Sequence, residues 1–116
     1  MGEIANKSVD LEHLARYTGG DKVLNAEIMR LFDAQASELV AKLHSILDAS
    51  DAKSWKEVTH TLKGAARGIG AFEMGDAAAK CEPVDLADRA CASAAIANLQ
   101  TSTTQVRSFI RDYLAG

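Results

Sequence analysis

The chain has 116 residues, nearly half of them apolar, few of them aromatic, and a net charge of −3. That length supports one core and not two, and the negative charge argues against bulk attraction to nucleic acid or an anionic membrane. No apolar run approaches the roughly 20 residues of a membrane span.

Alanine is abundant, proline occurs once, and strand-type alternation is absent over any useful length, so an all-α fold is predicted. The opening Met1-Gly2-Glu3-Ile4-Ala5-Asn6 lacks the basic start and apolar core of a signal peptide. It also lacks the Ser or Thr that myristoylation needs at position 6. The expected compartment is the cytoplasm, with a single domain over 1–116 and residues 1–8 as a flexible lead-in.

Leu11, Leu14 and Ala15 predict a short helix that stops at Gly19-Gly20. Asp21 can cap the next helix, a long one over about 21–49. In it Ile28, Phe32, Ala36, Leu39, Leu43 and Ile46 recur at three- and four-residue steps, the seam of a bundle. Ser50-Asp51 interrupts, and Asp51 can cap a helix over 51–68. Gly68-Ile69-Gly70 ends that helix: either glycine can close it in the left-handed conformation while Ile69 stays in the core. A further helix begins near Ala71 with Met74, Ala78 and Cys81 inward. Pro83 disturbs or ends it. Residues 83–91 form a turn or a short helical piece. The last helix covers about 92–114, with Ile96, Leu99, Val106, Phe109, Ile110 and Tyr113 apolar and a polar middle at Thr101–Thr104 that should pack weakly. Short connections between long helices predict an antiparallel four-helix bundle, capped by the short first helix.

The helix over 51–68 carries the chemistry. Trp55, Val58, Leu62, Ala65 and Ile69 mark its buried face. At about 100° per residue, His60 falls opposite the centre of that face. Lys56, Lys63, Gly64 and Arg67 surround it. An exposed imidazole ringed by cations contributes little to packing, so its reason is chemical. Gly64 costs about 1 kcal/mol relative to alanine inside a helix. Side chains lean toward the helix N-terminus, so a residue at 64 would cover the turn bearing His60. A glycine leaves that flank open to a large partner. Lys63, one turn along, can sit near an anion on the imidazole. Lys53 and Lys56 read as solubility charges. His13 and His44 match no motif, and His44 reads as a boundary residue. Cys81 and Cys91 are too few and wrongly spaced for zinc, so no metal site is predicted.

The run His60-Thr61-Leu62-Lys63-Gly64, followed by Ile69-Gly70-Ala71, Met74 and Glu82, resembles the signature of the histidine-containing phosphotransfer (HPt) family. Gly19-Gly20-Asp21, Phe32 and Asp51 fit the same pattern, so the likeness covers almost the whole chain. The resemblance implies that His60 accepts a phosphoryl group through Nε2, with Lys63 as the nearby cation and Gly64 giving access; Arg67 is read as a further stabilising charge from its place on the same face, where the family varies, and Gly70 as the turn at the helix end. It further implies that Glu82, 22 positions after His60, bonds the other ring nitrogen. Pro83 directly after it departs from the pattern and puts that placement at issue. The implied partners are the receiver domain of a hybrid histidine kinase and that of a response regulator. The implied Mg²⁺ belongs to the receiver, with no cofactor on this chain, and the protein is expected to be a monomer without kinase activity.

Other readings make different demands. A histidine-kinase dimerisation domain wants an acidic residue after its histidine, where Thr61 stands. The glycine-rich turn of short-chain dehydrogenases needs a preceding strand, and helical periodicity precedes Lys63-Gly64. The phosphotransfer module of a chemotaxis-type kinase and a passive helical adaptor remain as alternatives.

Overall fold

In the computed structural model, which describes residues 7–116, four of the five helices begin at an aspartate. The expected lead-in falls mostly on residues 1–6, which lie outside the described residues. The helices are α1 (Leu11–Thr18), α2 (Lys22–Asp48), α3 (Ala52–Gly68), α4 (Phe72–Cys81) and α5 (Arg89–Ala115). Asp10, Asp21, Asp51 and Asp88 each turn a carboxylate back onto first-turn backbone N–H groups, satisfying donors that a helix start leaves orphaned. Asp88 explains why α5 starts at Arg89, three residues before the expected 92. No strand occurs among the described residues.

α2 packs on α3 and α5, α4 packs on the same two helices, and α1 lies against α2. Contacts at the helix ends give directions. Arg89, opening α5, donates to the Leu47 carbonyl and reaches Asp48 at the end of α2. Asn25, near the start of α2, donates to the Tyr113 hydroxyl near the end of α5. The two long helices therefore run in opposite senses.

Two predicted stripes are displaced. The buried line of α2 is Met29, Phe32, Ala36, Val40, Leu43 and Leu47, while the expected Ile28, Leu39 and Ile46 are half-buried on its flank. α2 carries two apolar ridges one residue apart and packs against two neighbours, so the core centre lies between the ridges. In α3 the buried residues are Trp55, Thr59, Leu62 and Ala66, with Val58 and Ala65 half-buried. Thr59 enters the core by donating its hydroxyl to the Trp55 carbonyl at 2.8 Å, so that hydroxyl is not left unpaired. Thr103 does the same toward Leu99 at 2.7 Å. The middle of α5 is therefore packed at that position, against the expectation.

The α3–α4 turn closes at Gly70, with φ +87°. Gly68 stays helical and Ile69 is buried, as one of the two sequence alternatives had it. The Asp10 N–H donates to the Gly70 carbonyl at 2.9 Å. A Cβ on Gly70 would stand 2.6 Å from the Asp10 carbonyl oxygen, so both backbone conformation and close approach demand glycine here. The His13 ring meets Phe72 edge-on with centroids 5.0 Å apart, which gives that unmatched histidine a packing role beside the same turn.

Candidate functional site

Taking Trp55, Thr59, Leu62 and Ala66 as the buried face of α3 turns it by about 50° from the expected line. The turn swings Lys63 to the edge of the core and brings His60 toward α4. The His60 side chain remains 72% exposed. Its Nδ1 lies 3.2 Å from Oε2 of Glu82. The other carboxylate oxygen, Oε1, receives Lys63 Nζ at 2.6 Å. Lys63 and Glu82 are each about three-quarters covered, at 23% and 24% exposed. One carboxylate thus ties together two residues of α3 that lie a turn apart.

Glu82 reaches this position because α4 stops without bending. The helix ends at Cys81, Glu82 keeps helical backbone angles (φ −54°, ψ −47°), and Pro83 follows. Trp55, fully buried in α3, donates its indole N–H to the Cys81 carbonyl at 2.8 Å and clamps the helix end. Pro83 therefore does not displace the carboxylate.

The Lys63 ammonium foremost, together with the His60 ring, holds the Glu82 carboxyl below the usual glutamate range, although partial burial works against them. An ionised Glu82 can only accept, so the neutral ring carries its proton on Nδ1. The lone pair then sits on Nε2, on the side of the ring away from Glu82. At the Cys81 thiol burial acts unopposed, pushing it up to about 11, which makes it an inert core residue.

A Cβ built on Gly64 meets nothing within 4 Å, so the flank beside His60 is open. A shallow groove of about 260 Å³ separates α2 from α3, with Ile28, Leu31, Gln35 and Ala65 among its walls. Leu31 is 73% exposed there. Arg67 lies on the expected outward face, but its guanidinium donates to Asp76 of α4 at 3.4 Å. Of the two candidate stabilising cations, Lys63 joins the His60 cluster and Arg67 joins α4. Gly70 turns the helix end rather than touching the ring.

Sequence reasoning missed Gly75 and Asp76. The signal available for Gly75 was a glycine inside a helix; Asp76 gave none. Among the described residues no group of three or more His, Cys, Asp or Glu is placed to hold a metal ion, and no helix is long and apolar enough to cross a membrane. An exposed imidazole with a fixed proton on one nitrogen, a free lone pair on the other and an open flank is equipped to attack an electrophile carried by a macromolecule.

The family model for the Hpt domain matches residues 27–109, which include all of α3 and α4. No curated protein and no solved structure matches the chain.

Proposed function

The chain belongs to the Hpt domain family, a family of helical phosphocarrier modules in histidine phosphotransfer, and from that premise we propose that it relays a phosphoryl group between receiver domains on His60. The observation that carries the assignment is the contact between His60 Nδ1 and Glu82, beside the open flank at Gly64. We read α2 to α5 as an antiparallel four-helix bundle with α1 as its cap.

In the forward step the Nε2 lone pair attacks phosphorus on the aspartyl phosphate of a hybrid kinase's receiver. An N–P bond forms, the P–O bond to the aspartate breaks, and that aspartate leaves as a carboxylate. Nδ1 keeps its proton, and the ring, now cationic, faces the Glu82 carboxylate. Onward transfer to a response regulator reverses these events at a second aspartate. Such transfer depends on positioning and charge stabilisation. Glu82 supplies positioning by fixing the ring. Lys63 supplies positive charge one turn away, and Arg67 adds positive potential on the same face. Gly64 and the groove beside Leu31 let the receiver approach closely. Mg²⁺ enters with the receiver. The protein works as a cytoplasmic monomer without kinase activity of its own.

The test is transfer from a receiver bearing labelled aspartyl phosphate. Acid-labile, base-stable label is expected on this chain and is expected to vanish in His60→Gln. Label persisting in that variant moves the site elsewhere. Labelling only by the ATP domain of a kinase, never by a receiver, assigns the chain to a chemotaxis-type kinase instead. No labelling from either source leaves an adaptor.

A further inference from the structure

Gly75 lies inside α4 with a helical backbone, so no turn requires a glycine there, and glycine is a poor helix former. The neighbour that requires it is Arg67. A Cβ at position 75 would stand 2.7 Å from Arg67 Cγ and 3.4 Å from its Nε. The arginine stem therefore crosses the bare backbone of α4 and sets its guanidinium at Asp76. Seven residues, about 10 Å of helix axis, separate Arg67 from His60. The stem runs across to α4 rather than along α3 toward the ring.

The geometry points to Gly75 as a positioning residue that seats Arg67 on the perimeter of the docking face, where it meets a carboxylate of the docked receiver. This rests on the phosphotransfer reading above. Asp76 takes one of the five N–H donors of the guanidinium, and the side chain is 47% exposed, which leaves a face for the partner. Arg67 then governs how tightly the receiver is held, while Lys63 and Glu82 govern the reacting ring. Asp76 keeps the guanidinium from collapsing onto its own helix and aligns it before the partner arrives, so less side-chain entropy is lost on docking.

Gly75→Ala tests the seat. Alanine suits a helix, and the obstructing Arg67 Cγ clears it by a change of χ1 rotamer that carries the whole stem away from α4, so the fold is retained, as circular dichroism will register. The Arg67 Nε–H signal, read by ¹H–¹⁵N spectroscopy, should move to the position of a solvent-averaged arginine. With a phosphorylated receiver that labels the wild type, the half-saturating receiver concentration should rise about two- to fivefold, with the maximal rate unchanged. In an Arg67→Met background, Gly75→Ala should add nothing. An unmoved Arg67 signal removes the seat. An equal effect in both backgrounds makes Gly75 a packing residue alone. A fall in maximal rate at constant half-saturation places Arg67 on the phosphoryl group instead. If the wild type takes no label from any receiver, the phosphotransfer reading falls, and the docking role with it. The spectroscopic arm still decides the seat.

Discussion

Gly64→Ala is expected to make the protein more stable, and Gly70→Ala, six residues on, much less so. Gly64 is helical, and an added Cβ meets nothing within 4 Å. The gain is then the difference in helix propensity, about 1 kcal/mol. Unfolding entropy of roughly 2.1 cal/mol/K per residue over a chain of this length converts that into a rise in Tm of about 4 °C. At Gly70 the same methyl meets the Asp10 carbonyl oxygen at 2.6 Å in a left-handed backbone. The left-handed conformation alone costs an L-residue about 1–2 kcal/mol, and the clash adds to it, so Tm should fall by at least about 4–8 °C. Thermal unfolding followed by circular dichroism measures both. Gly64→Gln completes the series. Glutamine is a good helix former, but its side chain leans back over the turn of His60, so stability should stay at or above wild type while receiver-to-protein transfer slows by an order of magnitude or more. A Gly64→Ala protein that melts lower than wild type, or a Gly64→Gln protein that transfers at the wild-type rate, would overturn the view that position 64 is empty for a partner's benefit.

Glu82→Gln should change the acid limb of stability. The folded carboxyl is held low by Lys63, so its contribution is complete above the unfolded pKa of about 4.3 and is lost as pH falls through the folded value. The difference in urea midpoint between wild type and Glu82→Gln should shrink over that interval and be level from pH 5 to 6; a constant difference down to pH 2 would contradict the ion pair. Lys63→Ala should raise the Glu82 pKa toward its ordinary value, read from the carboxyl carbon by NMR, and slow transfer. An unmoved Glu82 titration would show that the Lys63 contact does not form in solution. Trp55→Phe removes the bond to the buried Cys81 carbonyl and should cost about 1–3 kcal/mol by urea unfolding followed by circular dichroism, since the only tryptophan is lost. It should also broaden the His60 ring signals, because the helix end bearing Glu82 is no longer clamped. Wild-type stability would mean that water replaces the indole.

The sequence made helix number and most boundaries readable because caps and breakers act locally: Asp21, Asp51 and Gly19-Gly20 each work within four residues of themselves. Rotation of a helix about its own axis was less readable. Ile28 and Met29, or Leu39 and Val40, are equally apolar, and the choice between them is made by which neighbours α2 finds. Thr59 and Thr103 were hidden because a hydroxyl satisfied by its own helix is apolar in effect, and a hydropathy pattern does not see that. At the site, His60 and Gly64 stood out from single-helix geometry. Glu82 came only through the family likeness, since its contact spans a turn and a helix. The Arg67–Gly75–Asp76 arrangement depends on how closely α3 and α4 approach, a distance that no residue spacing encodes.

That approach is close because the residues there are small: Ala66, Gly75 and Ala78 are all buried, with polar clasps at Trp55–Cys81 and Arg67–Asp76. Alanine and glycine have no rotamers to rearrange. A partner therefore meets a surface carried on a stiff helix pair, and little of its binding energy goes into shaping that surface. Discrimination among many similar visitors then falls to the contour of each visitor and the few movable side chains at the margin. Such a carrier can evolve new allegiances at its edge without disturbing the reactive centre.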